Sequence, residues 1–339
     1  MVAPVEVLNP GGRDPQQHFP DGAGAPAEKA HAPVNFHAFA ACTGGSFHRS
    51  DTTIAADRKR VVLLLRHDLK ASRQALVELR RAGKTVAISF KEAGAFQVAA
   101  QFAKPAKLQL FHEICQRADG AIATTPDMVH FYRGAQVRQV EFIPTPYPVE
   151  DARWDFSCPV EERRGIFLGT REFDTPSRNH VAALLALRML ADPMQEPVTV
   201  FNVNGWRGRR LFDRLRWPEG LLRVIETPLP YPRYLQVVAR HKLVFQLDSS
   251  AVPGQVAGDA LLCRVPCVGG NGTTERLVFP DLCGHGRTTE QLFDLAARLL
   301  EHPHDCAAMT ERSLELATTR LSFTAVAAQL GEFFDAISR

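Results

Sequence analysis

Apolar residues in this chain come as short runs separated by amphipathic stretches, and the alternation becomes regular from about residue 60 onward. Val61-Val-Leu-Leu-Leu65 is aliphatic throughout, as expected of a strand buried on both faces. Residues 71–82 follow as a helix, with Ala75, Leu76 and Leu79 on one side. Residues 85–90 predict the next strand, 95–117 one long helix and 120–123 a small-residue strand. Thr125 caps a helix that has Pro126 at its first position, and residues 140–143 close this half with a strand.

The second half repeats the pattern. Strands are predicted at 166–168, 198–201, 222–225, 243–247 and 266–268, with helices from Thr175-Pro176 to about 190, and over 207–216, 231–241 and 254–264. The remainder reads as helical, and Phe323, Val326, Ala327, Leu330, Phe333 and Ile337 recur at the spacing of a core-facing stripe. Strands alternating with helices predict an α/β fold of mainly parallel sheets, here as two Rossmann-like βαβ lobes facing across a cleft.

Residues 1–33 hold six prolines and four glycines and read as a flexible N-terminal arm. The first lobe is expected over 34–150. Pro144, Pro146 and Pro148 open a connection that runs to Glu162, and the second lobe follows over 163–320. Residues 321–339 are expected to pack as a helix near the interlobe region.

Composition narrows the partners. A net charge of +3, with Lys and Arg dispersed, argues against dedicated nucleic-acid binding. The seven cysteines form no C-x-x-C pair and read as core fillers in a reducing, cytoplasmic setting. No apolar stretch approaches the roughly 20 residues of a membrane helix, which leaves peripheral contact as the mode open to the chain. The twelve histidines form no H-E-x-x-H or other metal pattern, so no metal is expected.

The chemistry concentrates in residues 243–268. A buried strand ends in Asp248-Ser-Ser250, a turn carries Gly254, and a helix begins. Ligands in open α/β sheets bind where strands deliver their carboxyl ends. Amides of Gly254, Gln255 and Val256 at the helix start suit a diphosphate, with Ser250 beside them. Asp259 is either an acceptor for ribose hydroxyls or a solvated helix residue.

This stretch resembles the family 4 glycosyltransferases of the GT-B fold, whose pattern here is P-S-x-x-E-G-F-G-x-x-x-L-E-A-M-A-x-G-x-P-V-V. Gly254 falls on the last Gly of E-G-F-G, Asp259-Ala260 on the second E-A, and Val265-Pro-Cys-Val268 on x-P-V-V. Ala251 stands in place of the first Glu, which in the family contacts the donor sugar, and Arg264 in place of the Gly before Pro. Ala118-Asp-Gly-Ala-Ile-Ala-Thr-Thr125 and Val140-Glu-Phe-Ile-Pro-Thr145 are similar to segments ending the family's first lobe. Ile166-Phe-Leu-Gly-Thr-Arg-Glu172 and Ser177-Arg-Asn-His180 are similar to those opening its donor lobe.

The resemblance implies a glycosyltransferase that uses a nucleotide-sugar donor, UDP- or GDP-linked, with retention of configuration and no other cofactor. Arg171 and Arg178 stand where the family neutralises the donor diphosphate. Thr227 and Leu229 lie in the loop that receives the base. The acceptor class (glycan, lipid or small molecule) is left open. Gly44 and Gly45 are candidates for a Gly-rich loop near the diphosphate, with an ordinary turn as the alternative. Lys91 and Glu92 are the candidate catalytic pair at a strand end where many relatives carry a His, and exposed loop charges are the alternative. His67 and Asp68 form a second such pair. Two other functions remain open: a nucleotide-sugar epimerase or hydrolase of the same fold, and a non-catalytic module, which the loss of the first Glu at Ala251 favours.

Overall fold

The computed structural model describes residues 2–10, 37–65, 68–90 and 94–338. They form two compact units. The first runs to Glu150 and resumes at Thr318, and the second comprises Asp151–Ala317.

The first unit comprises β1 (Val5–Leu8), α1 (His37–Thr43), β2 (Phe47–His48), β3 (Arg60–Leu65), α2 (Leu69–Arg81), β4 (Thr85–Phe90), α3 (Ala95–Gln101), α4 (Pro105–Arg117), β5 (Gly120–Ala123), α5 (Pro126–Gly134) and β6 (Val140–Phe142). Its sheet has the order β2-β1-β3-β4-β5-β6, parallel throughout. The unbroken apolar run of β3 follows from burial on both faces. Val61, Leu63 and Leu65 join the core under α2 and α4, whereas Val62 and Leu64 join the core on the opposite face. Asp68 accepts from the amides of Lys70 and Ala71, each at 3.1 Å, and so caps α2.

Two expectations change here. Val5–Leu8 lies in a segment expected to be a flexible arm, yet β1 is a fully buried inner strand between β2 and β3. The helix expected over 95–117 is two helices. Pro105 lacks an amide proton and disfavours helical backbone at the residue before it, so it closes one helix and occupies the first turn of the next. The last helix, α13, packs on α1 and on the first sheet, where Val326, Leu330, Phe333 and Phe334 complete the core on one face.

The second unit comprises β7 (Ile166–Leu168), α6 (His180–Met194), β8 (Val198–Phe201), α7 (Trp206–Arg214), β9 (Leu222–Ile225), α8 (Tyr231–Ala239), β10 (Leu243–Gln246), α9 (Gln255–Leu262), β11 (Cys267–Gly269), α10 (Thr273–Val278), α11 (Thr289–Glu301) and α12 (Pro303–Arg320). The chain leaves this unit within α12, and α13 (Phe323–Ile337) follows in the first. The second sheet is also parallel, in the order β11-β10-β7-β8-β9.

Candidate functional site

The second sheet starts in its middle. From β7 the chain steps outward through β8 to β9, then returns to β10 and steps the other way to β11. The strand order therefore reverses between β7 and β10. A crevice outside the carboxyl ends of those two strands is the standard ligand position of a doubly wound sheet. Both stretches matched to the donor lobe arrive there.

From β7 come Gly169, Thr170 and Arg171. A Cβ on Gly169 would collide with Cγ1 of Val256, so glycine lets the first turn of α9 close over the strand end. Gly254, the N-cap of α9, has φ +93°, a left-handed conformation. Gly258 is the first amide of this helix to bond back along it, to Gly254 O at 3.1 Å. The amides of Gln255, Val256 and Ala257 precede that bond and point out of the helix start. Partial positive charge gathers there.

Two arginines flank this helix start. Arg178 bonds the Asp248 carboxylate and reaches Ser250 Oγ at 3.4 Å. Asp248 in turn accepts from the Ser250 amide at 2.8 Å and from its hydroxyl at 2.5 Å. Ser250 is fully buried, so its hydroxyl holds Asp248 instead of facing outward. Arg171 is half exposed and lies 3.6 Å from Glu172, while Arg178 Nε lies 3.9 Å from the same carboxylate. Asn179, in the left-handed region at φ 48°, ties the β7 and β10 loops together through Leu247 O at 2.9 Å and Ser249 Oγ at 3.2 Å.

Asp259 is buried, not solvated. At 1% exposure its Oδ1 accepts from the Tyr231 hydroxyl at 2.5 Å, and its Oδ2 is 3.4 Å from Gln255 Nε2. Burial pushes its pKa up to about 7, against hydrogen bonds from Tyr231 and the charge of Arg171. Thr227 and Leu229 sit in the loop from β9 to α8, on the same carboxyl edge. Tyr231, the first residue of α8, links that loop to Asp259.

A second buried acid was not singled out from the sequence. Glu275, on α10, accepts from Gln246 Nε2 at 2.8 Å, and its Oε2 has no partner among the described residues. It lies against Gly254, Gly270 and Gly272, each of which would drive a Cβ into its carboxylate. Burial raises its pKa to about 7 as well. The signal for it was the glycine cluster before Glu275, since three glycines in four residues leave room for a buried group. Asp248, Asn179 and Tyr231 carried no comparable local signal.

Ala251, where the resembled family has its first Glu, is also in the left-handed region at φ 50° and donates to Asn271 Oδ1 at 2.8 Å. Asn271 in turn donates to Asp248 O at 3.0 Å and Ser249 O at 3.1 Å. This bonding pins the loop backbone.

In the first unit the glycine pair needs correction. Gly44 and Gly45 end α1 and lead into β2, which places them at the amino edge of the sheet beside Val5, the first residue of β1. A Cβ on Gly45 would strike Val5 O, so close strand packing explains this glycine. Ligands bind at the opposite edge. β1 delivers its carboxyl end to that opposite edge. At that end of β1, Asn9 is fully buried with neither side-chain polar atom partnered among the described residues. Lys91, Glu92 and His67 also lie outside the described residues, whereas Asp68 is the α2 cap. Among the described residues no cluster of His, Cys, Asp and Glu is arranged to hold a metal ion, and no helix is long and apolar enough to cross a membrane.

No protein-family model matches this chain, and no curated protein matches it in sequence. Solved structures do share its fold. A sucrose-phosphate synthase from Thermosynechococcus elongatus superposes with a TM-score of 0.63 at 14% identity, covering 98% of each chain. A UDP-forming α,α-trehalose-phosphate synthase from Burkholderia xenovorans gives 0.62 at 12% identity, over 85% of this chain and 76% of that one. A putative UDP-N-acetylglucosamine 2-epimerase from Listeria monocytogenes gives 0.52 at 15% identity, over 97% and 95%. These likenesses establish the GT-B fold, with two parallel-sheet α/β units.

Proposed function

We propose that this protein is a glycosyltransferase that takes a sugar from a nucleotide-sugar donor held on the second unit. One observation carries the reading. At the point where the second sheet reverses its strand order, a left-handed glycine opens α9 and two arginines flank the opening. Negative charge builds on a departing diphosphate, and preformed donors aimed at that charge lower the barrier. Amides at the start of α9 and the guanidiniums of Arg171 and Arg178 supply such donors, so the reaction needs no bound cation or other cofactor. Asp248 and Ser250 hold Arg178 in place beforehand.

In this reading the base lies against the Thr227 to Pro230 loop. Ribose hydroxyls donate to Asp259 Oδ2, which requires Gln255 to turn aside. The acceptor belongs to the first unit, with Lys91 and Glu92 directly after the carboxyl end of β4. Kinship with the family 4 enzymes, and with it retention of configuration, is part of the proposal. UDP is the first nucleotide to test, since the Burkholderia protein of the same fold is described as UDP-forming.

Ala251 gives a second reading its basis: without a carboxylate at that place, the site would bind a nucleotide or sugar without turning it over. Purified protein incubated with UDP-, GDP-, ADP- and TDP-sugars separates the outcomes. Acceptor-dependent nucleotide release supports transfer. An isomerised sugar that stays nucleotide-linked would make it an epimerase, thermal stabilisation alone a binding module. No response to any nucleotide would sink the site assignment.

A further inference from the structure

Five of the eight large apolar side chains exposed among the described residues lie on α6, in the loop from β8 to α7 or at the start of α7: Val181, Leu185, Met189, Val203 and Trp206. On α6 the inward positions Ala183, Leu184, Leu187 and Leu190 are buried, as a sheet-covering helix requires. Val181, Leu185 and Met189 follow one another at four-residue spacing on the outer side, with Met189 70% exposed. Trp206 is 65% exposed, and the guanidiniums of Arg207 and Arg210 lie 5.8 and 5.6 Å from its ring centroid.

The two helices share one face. From β7 to β8 to β9 the chain steps in a single direction, and right-handed crossovers then put α6 and α7 on the same side of the sheet. Phe173 packs on both His180 of α6 and Phe212 of α7 and holds them together.

This face is also basic. The nine residues of α7 hold four arginines and one aspartate, a balance of +3 that equals the net charge of the whole chain. Arg209 pairs with Glu226 at 3.3 Å, whereas Arg207, Arg210 and Arg214 have no carboxylate within 4.0 Å among the described residues.

We infer that the α6–α7 face binds the surface of an anionic lipid bilayer. Tryptophan favours the boundary between headgroups and acyl chains, where its ring is buried and its N–H stays hydrated. Arginines around it meet lipid phosphates, and an aliphatic row on a neighbouring convex helix enters the same layer without a matching groove. A second copy of this chain is a poor occupant, because two such basic faces would repel each other.

The test is co-sedimentation of the full chain with phosphatidylcholine vesicles, alone or with about one part in three phosphatidylglycerol. Salt-sensitive binding to the mixed vesicles is expected. Combining Trp206→Ala with Arg207→Glu and Arg210→Glu should weaken it at least about tenfold. The circular dichroism spectrum should not change, since all three side chains are exposed. Leu185→Ser with Met189→Ser tests the apolar half separately and should also weaken binding. Equal affinity for neutral vesicles, undiminished binding of both variants, or no vesicle binding at all would overturn the inference. Retention on heparin without vesicle binding would assign the face to a soluble polyanion and overturn it too.

Discussion

Gly254 and Glu275 occupy adjoining space so closely that a Cβ on the glycine would collide with Oε2 of the glutamate. The same glycine has φ +93° and opens the helix at the proposed diphosphate site. Gly254→Ala therefore meets both a backbone penalty and a steric one, and should destabilise the second unit by at least about 2 kcal/mol. Chemical denaturation measures this. A wild-type midpoint in the variant would mean that the helix start is not held as described.

Glu275 should leave a signature in the pH dependence of stability. Its pKa is raised to about 7 from an ordinary 4.5, so the folded state holds this proton more tightly than the unfolded state. Stability from this group is complete below about 4.5 and is lost as pH rises to about 7. Glu275→Gln removes the ionisation. Relative to wild type, the variant should gain stability between pH 5 and 8, by an amount on the order of 3 kcal/mol at most. A difference that stays flat across that range would refute the buried protonated acid.

Arg178 is bound to a nearly buried Asp248, so removing it leaves a carboxylate without its cation. Arg178→Ala should cost about 2–3 kcal/mol of stability, and nucleotide-induced thermal stabilisation should shrink as well. Arg178→Lys restores charge without the planar fork. It should recover part of the stability, with less recovery of ligand response. Full recovery of both would make the role one of charge alone.

Asp259 predicts a pH-dependent affinity. An ionised carboxylate accepts ribose hydroxyls more strongly than a protonated one, and its pKa is raised to about 7. Nucleotide affinity should therefore rise between pH 6 and 8, as calorimetry would show, and Asp259→Asn should abolish that rise. Tyr231→Phe removes a hydrogen bond that holds this pKa down, and should move the rise in affinity to higher pH while lowering thermal stability. A pH profile unchanged in Asp259→Asn would remove this residue from the ribose site.

Ala251 adopts a left-handed conformation that glycine tolerates better. Ala251→Gly should stabilise the protein by about 0.5–1 kcal/mol, with the entropy of an added glycine taking back part of the gain. Loss of stability in this variant would show that the loop is not strained at this residue.

The alternation of strands and helices was legible because β3, β4, β5, β7, β8 and β10 are buried runs bounded by clear punctuation, such as Pro126 after Thr125. β1 was not legible. Its four residues sit between prolines and include Glu6, which only the folded chain explains: the buried carboxylate accepts from the Ser46 amide at 3.0 Å and bonds His48 Nε2 at 2.7 Å. Partners some forty residues away leave no local pattern. Pro105 carried its own signal, since the missing amide proton disfavours a helix interior whatever the surroundings.

For the site, the sequence alone determined that a strand, a glycine turn and a helix follow one another at 243–268, and that arginines cluster at 171–178. Hydrophobic period and glycine chemistry are local properties and can be read residue by residue. Only the tertiary structure decided that β7 and β10 lie side by side, which brings Arg178 onto Asp248 and Val256 over Gly169. It also decided that Gly44-Gly45 stands at the amino edge of the first sheet, since the pair looks the same in sequence at either end of a strand. Pairing between distant strands is set by the sum of buried surface across the whole sheet, and no short window of residues contains that information.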